Sequence, residues 1–216
     1  MQLNLPLIDD FDPTGDGRNP AWQAAPWHNL QRVGPGPADY KTRAKVAWSK
    51  TGVYGLVECE DRRLTATFTD DFAELYFEDV VEMFLWPHEP QKVYFEYEVS
   101  PLGFELPLIV TNPEGTSRPW LPFLYRGDRK VRKAVSVRGG EQASGAEVAG
   151  WSAEWMIPFE LMGGMVDVPP TPGSVWRGNV YRIDYDSAEP SHWALSPATG
   201  NNFHTLAGFA TLRFDG

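Results

Sequence analysis

Apolar and polar residues alternate most regularly between Phe77 and Gly103, FEDVVEMFLWPHEPQKVYFEYEVSPLG. Strand side chains point in turn to the two faces of a sheet. Val81, Met83 and Leu85 therefore share one face of a first strand, and Val80, Glu82, Phe84 and Trp86 the other. In a second strand Phe95, Tyr97 and Val99 lie opposite Tyr94, Glu96 and Glu98, and the polar link Pro87-His88-Glu89-Pro90 joins the two. One face is apolar enough for a core. The other mixes carboxylates with aromatic rings, which a merely solvated face does not need, and it is the candidate functional face.

The same alternation predicts a hairpin of Lys45–Ser49 and Gly52–Glu60, turning at Lys50-Thr51-Gly52. Val53, Gly55, Val57 and Cys59 form one of its faces and Tyr54, Leu56, Glu58 and Glu60 the other. Further strands are expected at Lys130–Arg138, Trp151–Ile157, Gly178–Tyr185 and Gly208–Phe214. Residues 61–79 read as a polar connection with a short helical turn at Asp70–Leu75. Residues 107–126, rich in proline and small polar residues around Trp120, read as a long loop. Pro158 ends a strand, Phe159–Met162 forms one helical turn, and Trp22 and Trp27 plug one end of the core. No long amphipathic helical pattern, internal repeat or linker interrupts this order. The expectation is an all-β, antiparallel β-sandwich of two packed sheets, jelly-roll or immunoglobulin-like, with long loops and little helix. It forms one domain over residues 1–216.

A chain of 216 residues can bury a core without staples, and its single cysteine excludes an internal disulfide. With 29 acidic against 19 basic residues the net charge is −10, which argues against a surface that tracks nucleic-acid phosphates. The start MQLNLPLIDD has neither the basic residues nor the apolar run of a signal peptide. No segment approaches the roughly 20 apolar residues of a membrane helix. The chain reads as a soluble protein without membrane contact, cytoplasmic unless an export signal has been removed.

If Glu82, Glu96, Glu98, Arg182, Asp184 and Glu154 share one surface, they make a polar platform edged by Phe84, Trp86 and Tyr94. Such a platform suits sugars: charged groups and amides take up hydroxyls in the ring plane, and aromatic rings stack on the C–H faces. The plainer alternative is a mutually neutralised charge network, whose opposite-charge neighbours are worth about 0.2–1 kcal/mol each. Glu96 and Glu98, two residues apart on one face, also suit the carboxyl separation of an inverting glycosidase, so a glycoside hydrolase is the alternative function. A haem-binding sandwich is a third class. It needs axial ligands, whereas His28, His88, His192 and His204 fall in loops or near strand ends and Met83 faces the core. Asp9, Asp10, Asp12 and Asp16 could offer oxygens to a structural calcium, although their spacing is not that of an EF-hand and a solvated turn is the other reading. Cys59, alternating with core residues, reads as a buried, inert thiol. There is no Cys-x-x-Cys, zinc helix motif, phosphate-cradling loop or Gly-x-Ser-x-Gly elbow.

The ordered set of segments resembles a known family. Pro20-Ala21-Trp22, the run Glu78 to Leu85 and the run Tyr94 to Gly103 are followed by Trp151 to Phe159, Asn179 to Asp184 and Phe203-His204…Phe209. Together they resemble the carbohydrate-binding module family 9-like group, from about Ile8 to Phe214. The resemblance implies an antiparallel β-sandwich that binds oligosaccharide or polysaccharide without catalysis and supports polysaccharide breakdown beside a partner glycoside hydrolase. It also implies structural calcium and a pair of aromatic rings clamping a terminal sugar. By position relative to Asp79-Val80-Val81-Glu82, Glu82 matches a ligand-contacting acid and Tyr76 the first ring. Trp193, in Ser191-His192-Trp193-Ala194, matches the second ring. Glu96, Glu98 and Arg182 are the remaining candidates for reading hydroxyls. Glu96 and Glu98 stand where the group carries an arginine and an amide, and Tyr76 stands where it carries a tryptophan.

Overall fold

A computed structural model describes residues 1–122, 124–197 and 201–216. Its strands, in chain order, are β1 (Gln2–Leu5), β2 (His28–Asn29), β3 (Gln31–Val33), β4 (Thr42–Trp48), β5 (Gly52–Cys59), β6 (Val80–Trp86) and β7 (Val93–Val99). They continue as β8 (Glu105–Thr111), β9 (Arg118–Trp120), β10 (Arg132–Arg138), β11 (Gly150–Pro158), β12 (Val175–Asp184), β13 (Ser191–Ala194) and β14 (Ala210–Phe214). A nine-stranded sheet runs β1-β14-β12-β6-β7-β8-β9, with β13 joining β12 to β3, and a five-stranded sheet runs β10-β11-β5-β4-β2. The pair β1–β14 is parallel; the other strand pairs are antiparallel. Among the described residues the helices are short 3-10 turns, and none is long and apolar enough to cross a membrane.

The two sheets close on each other as a β-sandwich because each presents an apolar face. Val81, Met83 and Leu85 of β6 and Phe95, Tyr97 and Val99 of β7 meet Val53, Val57 and Cys59 of β5 and Ala153 and Trp155 of β11 in one buried cluster. This is the face that the alternation assigned to the core. At one edge Lys133 of β10 reaches Glu105 of β8 at 2.9 Å, tying sheet to sheet, and Tyr97 Oη donates to the same carboxylate at 3.0 Å.

Three local expectations change. Residues 107–126 hold most of β8 and all of β9. Pro107, opposite Tyr97 of β7, lies where β9 does not yet flank β8. The helical turn after the polar connection falls at Leu75–Phe77, later than Asp70–Leu75. Trp22 does not plug an end of the sandwich. It covers the outer face of the small sheet, in a third cluster with Ala47, Tyr54, Leu56 and Met156, and Trp27 lies half-buried under Arg43 at 4.0 Å.

Packing between β5 and β11 leaves no room over Gly55. A Cβ there would stand 2.4 Å from Cε2 of the buried Trp155 ring. Gly55→Ala is expected to cost about 1–3 kcal/mol through forced repacking, read as a lower urea midpoint with an unchanged slope.

Candidate functional site

Because β6 and β7 send their apolar alternates inward, Glu82, Glu96 and Glu98 point to the outer face of the large sheet. Their neighbours Val80, Phe84, Trp86 and Tyr94 do not stand in water. They form a second apolar cluster with Leu106, Leu108, Val110, Tyr181 and Ile183, roofed by Phe203 and Phe209. The roof is pinned by specific bonds. Phe203 stacks on Tyr181 at 4.0 Å and 10°, Tyr181 Oη donates to the Phe203 carbonyl at 3.0 Å, and Asn112 Nδ2 donates to the His204 carbonyl at 2.8 Å. Tyr94 and His204 are also hydrogen-bonded to one another. What stays open is a cavity of about 310 Å³ between this roof and the 3-10 turn, lined by Tyr76, Glu82, Glu96, Ile183, Phe203 and His204 among others.

The floor of the cavity is acidic and buried. Glu82 is 2% exposed, Glu96 4% and Glu98 0%. Glu82 pairs with Glu98 across the β6–β7 ladder, and Glu96 follows two residues earlier on the same face. Among the described residues Glu96 Oε2 and both oxygens of Glu98 have no hydrogen-bond donor. Burial, reinforced by neighbouring carboxylates, pushes Glu82 and Glu98 well above the ordinary carboxylate range; burial pushes Glu96 up to about 7. His204 Nδ1 stands 3.9 Å from Glu96 Oε2, but burial lowers its pKa from 6.5, so at neutral pH it is an uncharged imidazole and not a counter-ion. On the rim the half-buried Tyr76 ring rests beside Phe77 at 4.6 Å, and its hydroxyl donates to Glu74 at 2.7 Å.

Four of the six predicted contact residues are thus gathered: Tyr76, Glu82 and Glu96 in the lining and Glu98 beneath it. Arg182 and Trp193 are not. Tyr181 is the residue opposite Glu82, so its neighbour Arg182, opposite Val81, points into the sandwich. There Arg182 is fully buried and donates to Asp61 at 3.1 Å, Asp184 at 2.6 Å and the Glu60 carbonyl at 2.6 Å. Trp193 belongs to β13, is 1% exposed, and lies between the guanidinium groups of Arg182 (4.9 Å) and Arg32 (5.2 Å). It is a core ring and offers no face to a sugar. Asp184 follows Arg182 inward. Glu154 lies on the outer face of the small sheet, where it accepts from Thr14 N at 2.8 Å, Gly15 N at 2.7 Å and Trp22 Nε1 at 2.5 Å. The single platform imagined from the sequence is therefore divided among three surfaces.

The aspartates proposed for calcium do not converge. Asp10 accepts from Thr51 and Tyr54, Asp12 pairs with Arg132, Asp16 pairs with Arg18 and Thr14, and Asp9 is exposed. They do not fit one calcium ion. Among the described residues the carboxylates close enough to share an ion are Asp61, Asp184 and Asp186, and two of these already hold Arg182.

Sequence reasoning missed the cavity-lining part of the late segment. Asn201, Phe203 and His204 line the cavity, as does His192. The signal available was the run Asn201-Asn202-Phe203-His204, amides beside a ring in a stretch with no strand pattern.

Two outcomes follow. Arg182→Ala strands Asp61 and Asp184 without a cation and is expected to cost about 3–5 kcal/mol, read by chemical denaturation. The acidic floor makes stability depend on pH. Glu96 titrates near 4.5 when unfolded and at about 7 when folded, so between these values the folded chain holds a proton that the unfolded chain has lost. Its contribution is whole below 4.5 and disappears as pH rises through about 7, with Asp61 (about 6) and Asp79 (about 8) acting in the same sense. Stability is expected to fall across this window, and Glu96→Gln to flatten the fall, in melts from acid to neutral pH.

Comparison with known proteins accords with the fold. Residues 14–107 match the family model described as carbohydrate family 9 binding domain-like. No curated protein sequence matches the chain. A crystal structure of a candidate carbohydrate-binding protein from Bacteroides uniformis superposes with a TM-score of 0.80 at 17% identity, covering 99% of each chain. A family 9 carbohydrate-binding module from Caldicellulosiruptor kristjanssonii, in complex with cellotriose, gives 0.68 at 15% identity over 100% of this chain and 94% of that one. A family 9 carbohydrate-binding module from the same organism, in complex with glucose, gives 0.67 at 16% identity, over 100% of this chain and 96% of that one. The chain therefore resembles the carbohydrate-binding module family 9-like group, by sequence over residues 14–107 and by fold along its whole length.

Proposed function

We propose that the protein is a non-catalytic carbohydrate binder, and that the cavity on the outer face of the large sheet is its site. The observation that carries this reading is the convergence, from four separate parts of the chain, of Tyr76, Glu82, Glu96 and Phe203 on one opening. Tyr76 supplies a ring for the C–H face of a pyranose, while Glu82 and Glu96 take up its hydroxyls, with Glu98 holding them from beneath. Glucose and cellotriose, bound by modules of the same fold, are the first ligands to try. In this reading the protein assists polysaccharide breakdown carried out by a separate glycoside hydrolase. Hydrolysis by this chain is the weaker reading. A glycosidase needs one carboxyl kept protonated and one ionised on opposite sides of the scissile bond. Here burial pushes Glu82 and Glu96 in the same direction, on one wall, and Glu98 lies beneath the lining.

Isothermal titration tests the site and the function together. Binding to cellotriose or another member of a neutral oligosaccharide panel is expected, and Tyr76→Ala is expected to weaken it about fivefold or more. Asp128→Ala, in a separate cavity of about 750 Å³ beside Asp10 and Thr51, is expected to leave it unchanged. No heat with any saccharide sinks the function; loss in the Asp128 variant alone moves the site.

A further inference from the structure

The acidic floor points beyond sugars in general to a kind of sugar. Two carboxyls, those of Glu82 and Glu96, each at least nine-tenths buried, line one opening with the buried Glu98 beneath them, and Glu96 has an oxygen with no donor. No lysine or arginine lines that opening among the described residues. Arg32, whose charge reaches His192, is held by the carbonyls of Gly36 and Ala38. The other titratable groups around the floor are Tyr76, Tyr94, Tyr181, Tyr185, His192 and His204. The tyrosines are raised and the two histidines lowered by burial, so all six are uncharged at neutral pH. The surroundings thus provide no positive charge where the chain has concentrated negative capacity.

So placed, these carboxyls ionise without a large cost only where a ligand brings the opposite charge. A neutral hydroxyl gains only an ordinary hydrogen bond from them. An ammonium brings three N–H donors and the missing charge, and can reach separate carboxylates. A metal ion suits the site less well, since Glu82, Glu96 and Glu98 are not among the carboxylates close enough to share one ion.

We propose that this cavity selects saccharides bearing a free amino group, with the carboxylates of Glu82 and Glu96 accepting from the sugar's ammonium. The proposal rests on the saccharide reading above. In the empty cavity the floor holds protons. When the ammonium enters, a carboxylic O–H gives its proton to the buffer and the resulting carboxylate faces the ammonium, which keeps its own protons. Binding is therefore coupled to proton release, and affinity falls as acid refills the floor.

The experiment is calorimetry with three β-1,4-linked trimers that differ in one substituent: cellotriose, the glucosamine trimer and its fully N-acetylated form. Each is titrated at about pH 6.5 in two buffers of different ionisation enthalpy, and again at about pH 5. The glucosamine trimer is expected to bind at least about tenfold more tightly than the other two, with proton release, and to weaken at the lower pH. Glu96→Gln is expected to remove the preference and its proton release, bringing the glucosamine trimer to the affinity that the same variant shows for cellotriose. The wild-type proton count needs no variant, so a poorly folded Glu96→Gln does not leave the question open. If cellotriose or the acetylated trimer binds as tightly as the amine, or no proton is released, the selectivity is wrong and the saccharide site stands. If no trimer binds, the selectivity falls, and the saccharide reading falls with it when the neutral oligosaccharide panel also gives no heat.

Discussion

The pleat of the β6–β7 hairpin couples the core of this protein to its site. Val81, Met83, Leu85, Phe95, Tyr97 and Val99 fill the space between the sheets. The residues between them have no choice but to face the other way. A slip of one residue would drive Glu82, Glu96 and Glu98 into the sandwich and expel its apolar filling. That slip is opposed on both sides, by β12 along β6 and by β8 along β7. The packing that stabilises the fold therefore also fixes where the carboxyls stand.

The chain buries charge in two ways. In the sandwich Arg182 is enclosed by Asp61, Asp184, Thr42 and a carbonyl, and Trp193 lies across its guanidinium. Such a knot is close to neutral in energy as long as every partner is present. On the outer face no cation enters the set, and the carboxyls escape the desolvation cost by keeping protons. The two clusters lie on opposite faces of one sheet, with Arg182 and Tyr181 adjacent in β12 marking the division. The paired cluster is closed to solvent, whereas the unpaired one opens on a cavity.

Much of the fold could be read from period-two alternation, because both faces of the main strands are filled by side chains of decided character. Among the strands that escaped it are β8, where Pro107 and the following Pro113 suggested a loop, and β13, whose Ser191-His192-Trp193-Ala194 is too short to show a period. Within the site, alternation placed Glu82, Glu96 and Glu98 on one face. It could not say which face of β12 joins theirs, since that depends on the pairing of Tyr181 with Glu82 and not on either strand alone. The error over Arg182 came from that gap. Trp193 was misplaced for a different reason: β13 pairs with β12 and β3, and this long-range pairing turns the ring inward. The roof formed by Phe203 and His204 rests on contacts across the fold, with Tyr181, Asn112 and Tyr94, that no local pattern encodes.

Cys59 has a consequence of another sort. It stands in the cluster between the sheets with no exposed surface, and burial pushes its thiol up to about 12. As the chain's sole cysteine it has no partner for an internal cross-link, and a thiol-directed reagent meets it only when β5 is unshielded. The molecule thus carries a built-in clock for the parting of its two layers, read without any added label and blind to movements of the roof on the opposite side of the large sheet.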